Sequence, residues 1–262
     1  MTPITLSLVA HTNVGKTTLA RTLLGRDIGE VRDAAHVTEV AERHVLVGPV
    51  DGASLVLWDT PGFGDSVRLV RRLRQAQGAF GWFLTEVWDR FTDRAFWSSQ
   101  QALRHVRDDS EIVLYLVNAA ETPGDAHVDA ELELLAWMGK PVIVLLNQLG
   151  APRPPDAEAA EVAAWRAALA RWTLVRDVLP LDAFARCWVQ EGVLLDAVYA
   201  LLDAGKRDVF VRLRAAWRDR AWGRLDAAVV ALAHTLAEAA QERETLVGGE
   251  GLPALLARAG GK

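Results

Sequence analysis

The sequence predicts an α/β fold in which helices cover both faces of a mostly parallel β-sheet. Short apolar runs alternate along the chain with segments of helical length, a pattern typical of βαβ units. Several of these runs are apolar throughout, as expected of parallel strands that are buried on both faces. The predicted strands are residues 5–10, 42–47, 54–59, 112–118, 142–147 and 175–181.

Helices are predicted in most of the gaps between these strands, over residues 16–24, 128–138, 158–172 and 193–202. Residues 66–109 are too long for a simple connection between the third and fourth strands, and their content predicts a helical insertion. We therefore divide the chain into a domain over residues 1–203, which contains this insertion, and a helical C-terminal extension over residues 204–262.

The extension is predicted to contain one long amphipathic helix, because apolar residues recur at helical spacing along one stripe. The stripe consists of Phe210, Leu213, Trp217, Ala221, Leu225, Ala228, Leu232 and Leu236.

Composition excludes several classes of protein. The chain has 262 residues, of which 51% are hydrophobic and 24% charged, and this balance is typical of a globular protein. A formal net charge of -5 gives no general attraction to nucleic acid, so no specific DNA binding is expected. One cysteine excludes an intramolecular disulfide framework, and we find neither a leader pattern nor a membrane-length apolar run. We expect a cytoplasmic protein that meets a membrane only peripherally, through a partner.

The stretch "AHTNVGKTT", residues 10–18, predicts a phosphate loop because an apolar strand precedes it and a helix-forming segment follows. Backbone N–H groups and a helix N-terminus would then face the phosphates of a nucleotide. Gly15 lets the backbone approach, Lys16 reaches the β- and γ-phosphates, and the Thr17 hydroxyl binds magnesium. Ala10 stands where the usual pattern begins with glycine, at a junction with the strand, where one added methyl group is tolerated.

A second motif, "WDTPGFGD" at residues 58–65, follows the third predicted strand. Asp59 is placed to hold magnesium through water, and the backbone N–H of Gly62 to sense a γ-phosphate. Alone, such a segment is an ordinary turn that contains Pro and Gly. Its combination with the phosphate loop indicates a nucleotide site with a mobile segment.

Through "TNVGKTTL" and "DTPG", residues 4–203 resemble the translation-factor-like P-loop GTPases, especially those of the Era and TrmE type. The long insertion and "PLDAFARCWVQE" look similar to a bacterial GTPase-like family in which the G domain precedes a helical domain of unknown function. The resemblance implies that Thr38 joins Thr17 and Asp59 around magnesium. It also implies a potassium ion held by Asn13 against the phosphates, in place of an arginine finger. The alternative is that Asn13 only stabilises the loop by local hydrogen bonds.

The residues that carry these roles are predicted as follows. The catalytic set is Asn13, Lys16, Thr38 and Gly62, and the metal ligands are Thr17, Thr38 and Asp59. The nucleotide-binding set is Asn13, Val14, Gly15, Lys16, Thr17, Thr18, Asp59, Gly62, Asn147 and Gln148.

Two departures from the family pattern bear on turnover and on the base. Phe63 stands where small GTPases have a glutamine that orients water, so slow intrinsic hydrolysis is expected. "NQLG" replaces NKxD, so Gly150 stands where an aspartate accepts hydrogen bonds from guanine. Losing bonds to a charged group, each worth about 1.5–3 kcal/mol, lowers the preference for guanine about tenfold or more. Asp182 lies in a later loop and either approaches the base or serves as a capping or surface residue.

The leading hypothesis is a magnesium-dependent GTPase that hydrolyses GTP to GDP and phosphate and acts as a switch. One alternative is a non-hydrolysing, nucleotide-gated scaffold for a membrane protein or another protein, which binds through the aromatic insertion, residues 79–97, and the C-terminal helix. The aromatic residues serve equally well as core between the inserted helices and the G domain. A second alternative is an ATPase or an NTPase with relaxed base choice. A homodimer is compatible with the resemblance.

Overall fold

Six strands form one sheet within the residues that the computed structural model describes, which are 3–25, 41–63, 66–75, 104, 106–183 and 188–241. The strands are β1 Ile4–Ala10, β2 Glu42–Val50, β3 Ala53–Asp59, β4 Ile112–Asn118, β5 Val142–Asn147 and β6 Val175–Pro180. Their order across the sheet is β2-β3-β1-β4-β5-β6. Only the β2–β3 pair is antiparallel, so the prediction of a mostly parallel sheet is confirmed.

Strand boundaries agree with the predicted ones to within one residue except at β2, which continues three residues further, to Val50. The extension pairs with β3 in a hairpin whose turn is Asp51–Gly52. Both turn residues have positive φ, 50° and 75°, which is the conformation that a two-residue Asp-Gly turn requires. The Asp-Gly signal was present in the sequence, and a prediction based on apolar runs missed it.

The helices are α1 Lys16–Leu24, α2 Ser66–Gln75, α3 Ala126–Met138, α4 Pro155–Leu169, α5 Trp188–Leu201 and α6 Ala204–Gln241. Predicted α1 is confirmed residue for residue. Helix α4 begins and ends three residues earlier than predicted. The early start has a physical reason, since a proline at the first helical position is preorganised for the helix. Helix α2 and residues 106–109 are helical, in agreement with the predicted insertion; the aromatic stretch 79–97 lies outside the described residues. No helix in the described ranges is long and apolar enough to span a membrane.

Two apolar layers hold the helices to the sheet. On one face, Leu6 and Leu8 of β1 pack with side chains of α1, α5 and α6. On the other face, Val113 and Val117 of β4 pack with side chains of α2, α3 and α4, including the fully buried Trp165. Alternating directions of side chains along each strand supply both layers. The phosphate loop therefore begins at the carboxyl edge of a sheet that is packed on both sides.

The chain divides into two compact units, Met1–Arg218 and Asp219–Lys262. In the first unit, α6 contributes buried Phe210, Leu213 and Trp217 to the apolar layer. In the second unit, the same stripe continues through exposed side chains, among them Leu225 and Leu232. The proposed domain division between residues 203 and 204 stays a prediction.

Replacing Phe210 by alanine should lower the free energy of unfolding by about 3–5 kcal/mol, because a fully buried ring is lost and a cavity is left behind. Val211 on the same helix is 52% exposed, so Val211→Ala is the matched control and should change stability by less than about 0.5 kcal/mol. Urea unfolding followed by circular dichroism measures both. Equal effects of the two variants would contradict the burial of α6 against the sheet.

Candidate functional site

The phosphate loop connects β1 directly to α1. Ala10 is the last residue of β1 and is fully buried, so its methyl group belongs to the apolar layer. Gly15 has a φ of 93°, and a Cβ there would lie 2.9 Å from Asn147 Nδ2. Only glycine adopts this positive φ and leaves room for the Asn147 side chain without strain. The Gly15 carbonyl accepts the N–H of Leu19 at 2.9 Å and so starts α1, which leaves the N–H groups of the first turn directed toward the loop.

The Asp59 carboxylate at the end of β3 joins two residues of the phosphate loop. Lys16 Nζ donates to Asp59 Oδ1 at 2.7 Å, and Thr17 Oγ1 donates to Asp59 Oδ2 at 2.8 Å. The side chains of Lys16 and Asp59 are only 8% and 3% exposed. Each charge of a buried ion pair needs its partner, since removing one partner typically lowers the free energy of unfolding by about 3–5 kcal/mol. The sheet register places Asp59 beside Leu8 of β1 and so fixes this contact.

The DTPG segment, residues 59–62, runs alongside β1 and the phosphate loop. Thr60 Oγ1 donates to the Leu8 carbonyl at 2.8 Å, and the Phe63 N–H donates to the Ala10 carbonyl at 3.0 Å. A Cβ added to Gly62 would lie 3.3 Å from Thr12 Cα, so the glycine lets the two backbones approach. The DTPG segment is therefore in direct contact with the phosphate loop and with the end of β1.

Asn147, at the end of β5, ties the phosphate loop to the loop after β6. Its Nδ2 donates to the Val14 carbonyl at 2.7 Å, and its Oδ1 accepts the N–H of Ala183 at 2.7 Å. The side chain is fully buried. Buried amides need such partners, and this one satisfies both ends of its side chain inside the protein.

The family described as 50S ribosome-binding GTPase matches residues 5–148, which contain the phosphate loop, the DTPG segment and Asn147. This match spans more than half of the chain. The chain belongs to this GTPase family. It is accordingly a GTP-binding protein with a translation-factor-like P-loop GTPase domain. No curated protein sequence matches the chain.

Solved structures support the same fold. The GTPase domain superposes on a point variant of Aquifex aeolicus Era bound to GDP·AlF4⁻ with a TM-score of 0.54 and 19% identity, over 76% of this chain and 57% of that one. A second Era structure, in complex with MgGDPNP and nucleotides 1506–1542 of 16S ribosomal RNA, gives a TM-score of 0.55 and 18% identity, with the same two coverages. The chain thus spans somewhat more than half the length of these Era proteins.

The structure brings most of the predicted site residues of the GTPase domain together. Lys16, Thr17 and Asp59 contact one another, and Gly62 lies against the loop. Val14 is buried, Thr18 is partly buried on α1, and Gln148 is exposed with a φ of 57°. Asn13 also adopts a positive φ, 67°, within the loop. Thr38 lies outside the described residues, and the nucleotide contacts of all these residues stay predictions.

Sequence reasoning missed a polar network beneath the phosphate loop. His11 Nδ1 lies 2.7 Å from Glu131 Oε1, and Tyr115 donates its hydroxyl to Glu131 Oε2 at 2.7 Å. The His127 ring lies 5.0 Å from the His11 ring, and Glu121 contacts His127. His11 therefore points toward α3. The available signal was Glu131 itself, a charged residue at helical spacing between buried Val128 and Leu135.

Burial and hydrogen bonding change the protonation of this network. The hydrogen bond to Glu131 raises the pKa of His11 above 6.5, although burial acts in the opposite direction. Burial raises the pKa of Glu131 above 4.5, against the effect of its bonds to His11 and Tyr115. Burial also raises the pKa of Tyr115 well above 10.0, so its hydroxyl remains a donor at neutral pH. Both members of the His11–Glu131 pair thus bind protons more tightly in the folded protein.

The free energy of unfolding should fall as the pH rises above the unfolded pKa values of about 4.5 for Glu131 and about 6.5 for His11, because the folded state retains protons that the unfolded chain releases. A raised folded pKa contributes stability that is complete below the unfolded value and is lost as the pH passes through the folded value. His11 and Glu131 both act in this direction. Thermal unfolding at each pH measures the slope.

Glu131→Gln is the matched variant for this slope, because it keeps the side-chain shape and removes the carboxylate. The fall in stability over the same pH range should be smaller in the variant than in the wild type. The same slope in both proteins would contradict the coupling between His11 and Glu131.

Proposed function

We propose that this chain binds GTP with magnesium, hydrolyses it to GDP and phosphate, and changes the conformation of the DTPG segment between the two nucleotide states. The observation that carries the proposal is the Asp59 carboxylate, which contacts both Lys16 and Thr17 of the phosphate loop. Membership of the GTPase family indicates that the nucleotide is a guanine nucleotide.

The residues present fit a magnesium ion. Thr17 Oγ1 and Asp59 Oδ2 are 2.8 Å apart, and hydroxyl and carboxylate oxygens are the hard ligands that magnesium prefers. Thr17 and Asp59 would hold the ion, directly or through water, and Thr38 is proposed to join them. When bound, magnesium would supply positive charge that neutralises the phosphates. Lys16 then exchanges its contact with Asp59 for one with the phosphates, so neither charge is left unpaired.

Slow turnover is proposed from the position of Phe63. Its ring is fully buried and its N–H is bonded to Ala10, so it has no polar group to orient an attacking water. Stabilisation of the developing charge then falls to Lys16 and the loop amides. We propose that a potassium ion held by Asn13 adds to this stabilisation of the developing charge.

Partner binding is proposed for the aromatic insertion, residues 79–97, and for the C-terminal helix. The support is the exposed continuation of the apolar stripe in the second unit, through Leu225, Leu232 and Leu236. The partner is a protein or a membrane protein, or a second copy of the chain. We propose a cytoplasmic location with peripheral contact to the membrane through such a partner.

Lys16→Ala should abolish measurable binding of a fluorescent GTP analogue and release of phosphate, because the charge that contacts the phosphates is removed. Lys140→Ala, which removes a lysine from the opposite edge of the sheet, is the matched control and should leave both intact. Thr17→Ala is a second test, since it keeps the buried ion pair and should lose the magnesium dependence. Circular dichroism verifies folding of each variant.

The outcomes separate the competing functions. Binding of GTP without release of phosphate in a single-turnover assay would favour a non-hydrolysing scaffold. Equal binding of GTP and ATP would favour an NTPase with relaxed base choice. Failure of the wild-type protein to bind either nucleotide would contradict the proposed function.

Exchanging sodium for potassium should raise the single-turnover rate of GTP hydrolysis in the wild-type protein, because a second cation stabilises charge on the phosphates. Asn13→Ala should remove most of this difference while binding of GDP is retained. A rate that does not respond to potassium would contradict the ion site and leave the binding of GTP unaffected.

A further inference from the structure

The carboxyl ends of β5 and β6 lie side by side next to the phosphate loop. Leu146 of β5 pairs with Pro180 of β6, and the Leu181 N–H donates to the Leu146 carbonyl at 3.0 Å. The Asn147 side chain then connects Val14 of the phosphate loop to Ala183. Three loops are thus held in one fixed arrangement. A nucleotide whose phosphates lie on residues 10–18 has this edge of the sheet available for its base.

Asp182 is the acidic residue that this arrangement brings to the loop after β5. The Leu149 N–H donates to Asp182 Oδ2 at 3.3 Å. Asp182 is bracketed by Leu181 and Ala183, which are both buried and hydrogen-bonded to the end of β5, so its backbone is held in place. A carboxylate has about four acceptor sites, so it can accept several hydrogen bonds at once.

Residue 150, on the loop after β5, has no side chain that could compete with Asp182 for the base. Gly150 has a φ of 78° and no side chain, and a Cβ there would meet nothing within 4 Å. The loop after β5 therefore provides space rather than a carboxylate, and the carboxylate comes from residue 182 of the neighbouring loop.

The chemistry of a carboxylate discriminates between purine bases. Guanine presents two adjacent donors, N1–H and the N2 amino group, which match the two oxygens of a carboxylate. Adenine presents an acceptor, N1, beside its amino group, so one carboxylate oxygen would face a lone pair. A hydrogen bond to a charged acceptor is among the stronger ones in proteins, and leaving it unmade is costly.

We propose that Asp182 is the residue that selects guanine in this protein, in place of a carboxylate on the loop after β5. The inference rests on the proposed binding of GTP and assigns its base specificity to a different loop. The carboxylate accepts the N1–H and N2–H groups of guanine while Leu149 and the Asn147–Ala183 bond hold it in position.

The test is titration of wild-type protein and Asp182→Asn with GDP, xanthosine diphosphate and ADP. Xanthine carries a carbonyl oxygen where guanine carries the N2 amino group, so an asparagine amide complements it and a carboxylate does not. Asp182→Asn should bind GDP about tenfold or more weakly than wild type and should bind xanthosine diphosphate more tightly than wild type. Asp208→Asn removes the same charge from an exposed site on α6 and should change neither affinity.

A second variant tests the assignment by rescue. Gly150→Asp places a carboxylate on the loop after β5, where the backbone leaves open space and aspartate tolerates a positive φ. Added to Asp182→Asn, it should restore the preference for GDP over xanthosine diphosphate.

Unchanged GDP affinity in Asp182→Asn would overturn the proposal and leave the proposed function standing. Loss of both GDP and xanthosine diphosphate would also overturn it, since it would show that Asp182 only supports the loops. If wild-type protein bound none of the three nucleotides, the proposed function itself would fail, and the specificity assignment with it.

Discussion

The site depends on one carboxylate that is held between two loops. Asp59 satisfies the buried ammonium of Lys16 and the hydroxyl of Thr17 at the same time, and almost no water reaches either charge. The β1–β3 register places Asp59 beside Leu8, and a shift of one residue would turn the carboxylate to the other face of the sheet. Packing of the apolar layers on both faces fixes that register. The position of this carboxylate in the proposed nucleotide site therefore follows from the same hydrophobic pattern that forms the sheet.

Much of this arrangement was accessible from the sequence because the signals are local. Apolar runs located the strands, and glycine, lysine and threonine at a strand–helix junction located the phosphate loop. The β2–β3 hairpin was extended beyond its apolar run by the Asp51–Gly52 turn, so hydrophobicity alone ended the strand too early. The contact between His11 and Glu131 joins residues that are 120 positions apart, and such pairings follow from tertiary packing rather than from local pattern.

Residues that depart from the family pattern have structural explanations in this fold. Ala10 is a buried strand residue, and its carbonyl accepts the N–H of Phe63, whose ring is itself fully buried. Ala10 packs in one apolar layer and the Phe63 ring packs in the other, and the hydrogen bond between their backbones closes the junction between the phosphate loop and the DTPG segment. Beneath them, the network of Glu131 adds a polar contact from α3 to His11. The phosphate loop is thus supported from the sheet, from the DTPG segment and from a helix on one face.

The most direct test of this account is a crystal structure of the chain with magnesium and a non-hydrolysable GTP analogue. We predict that Lys16 Nζ leaves Asp59 and contacts the phosphates, and that Thr17 and Asp59 both face the metal. A nucleotide bound elsewhere, with the Lys16–Asp59 contact intact, would contradict it.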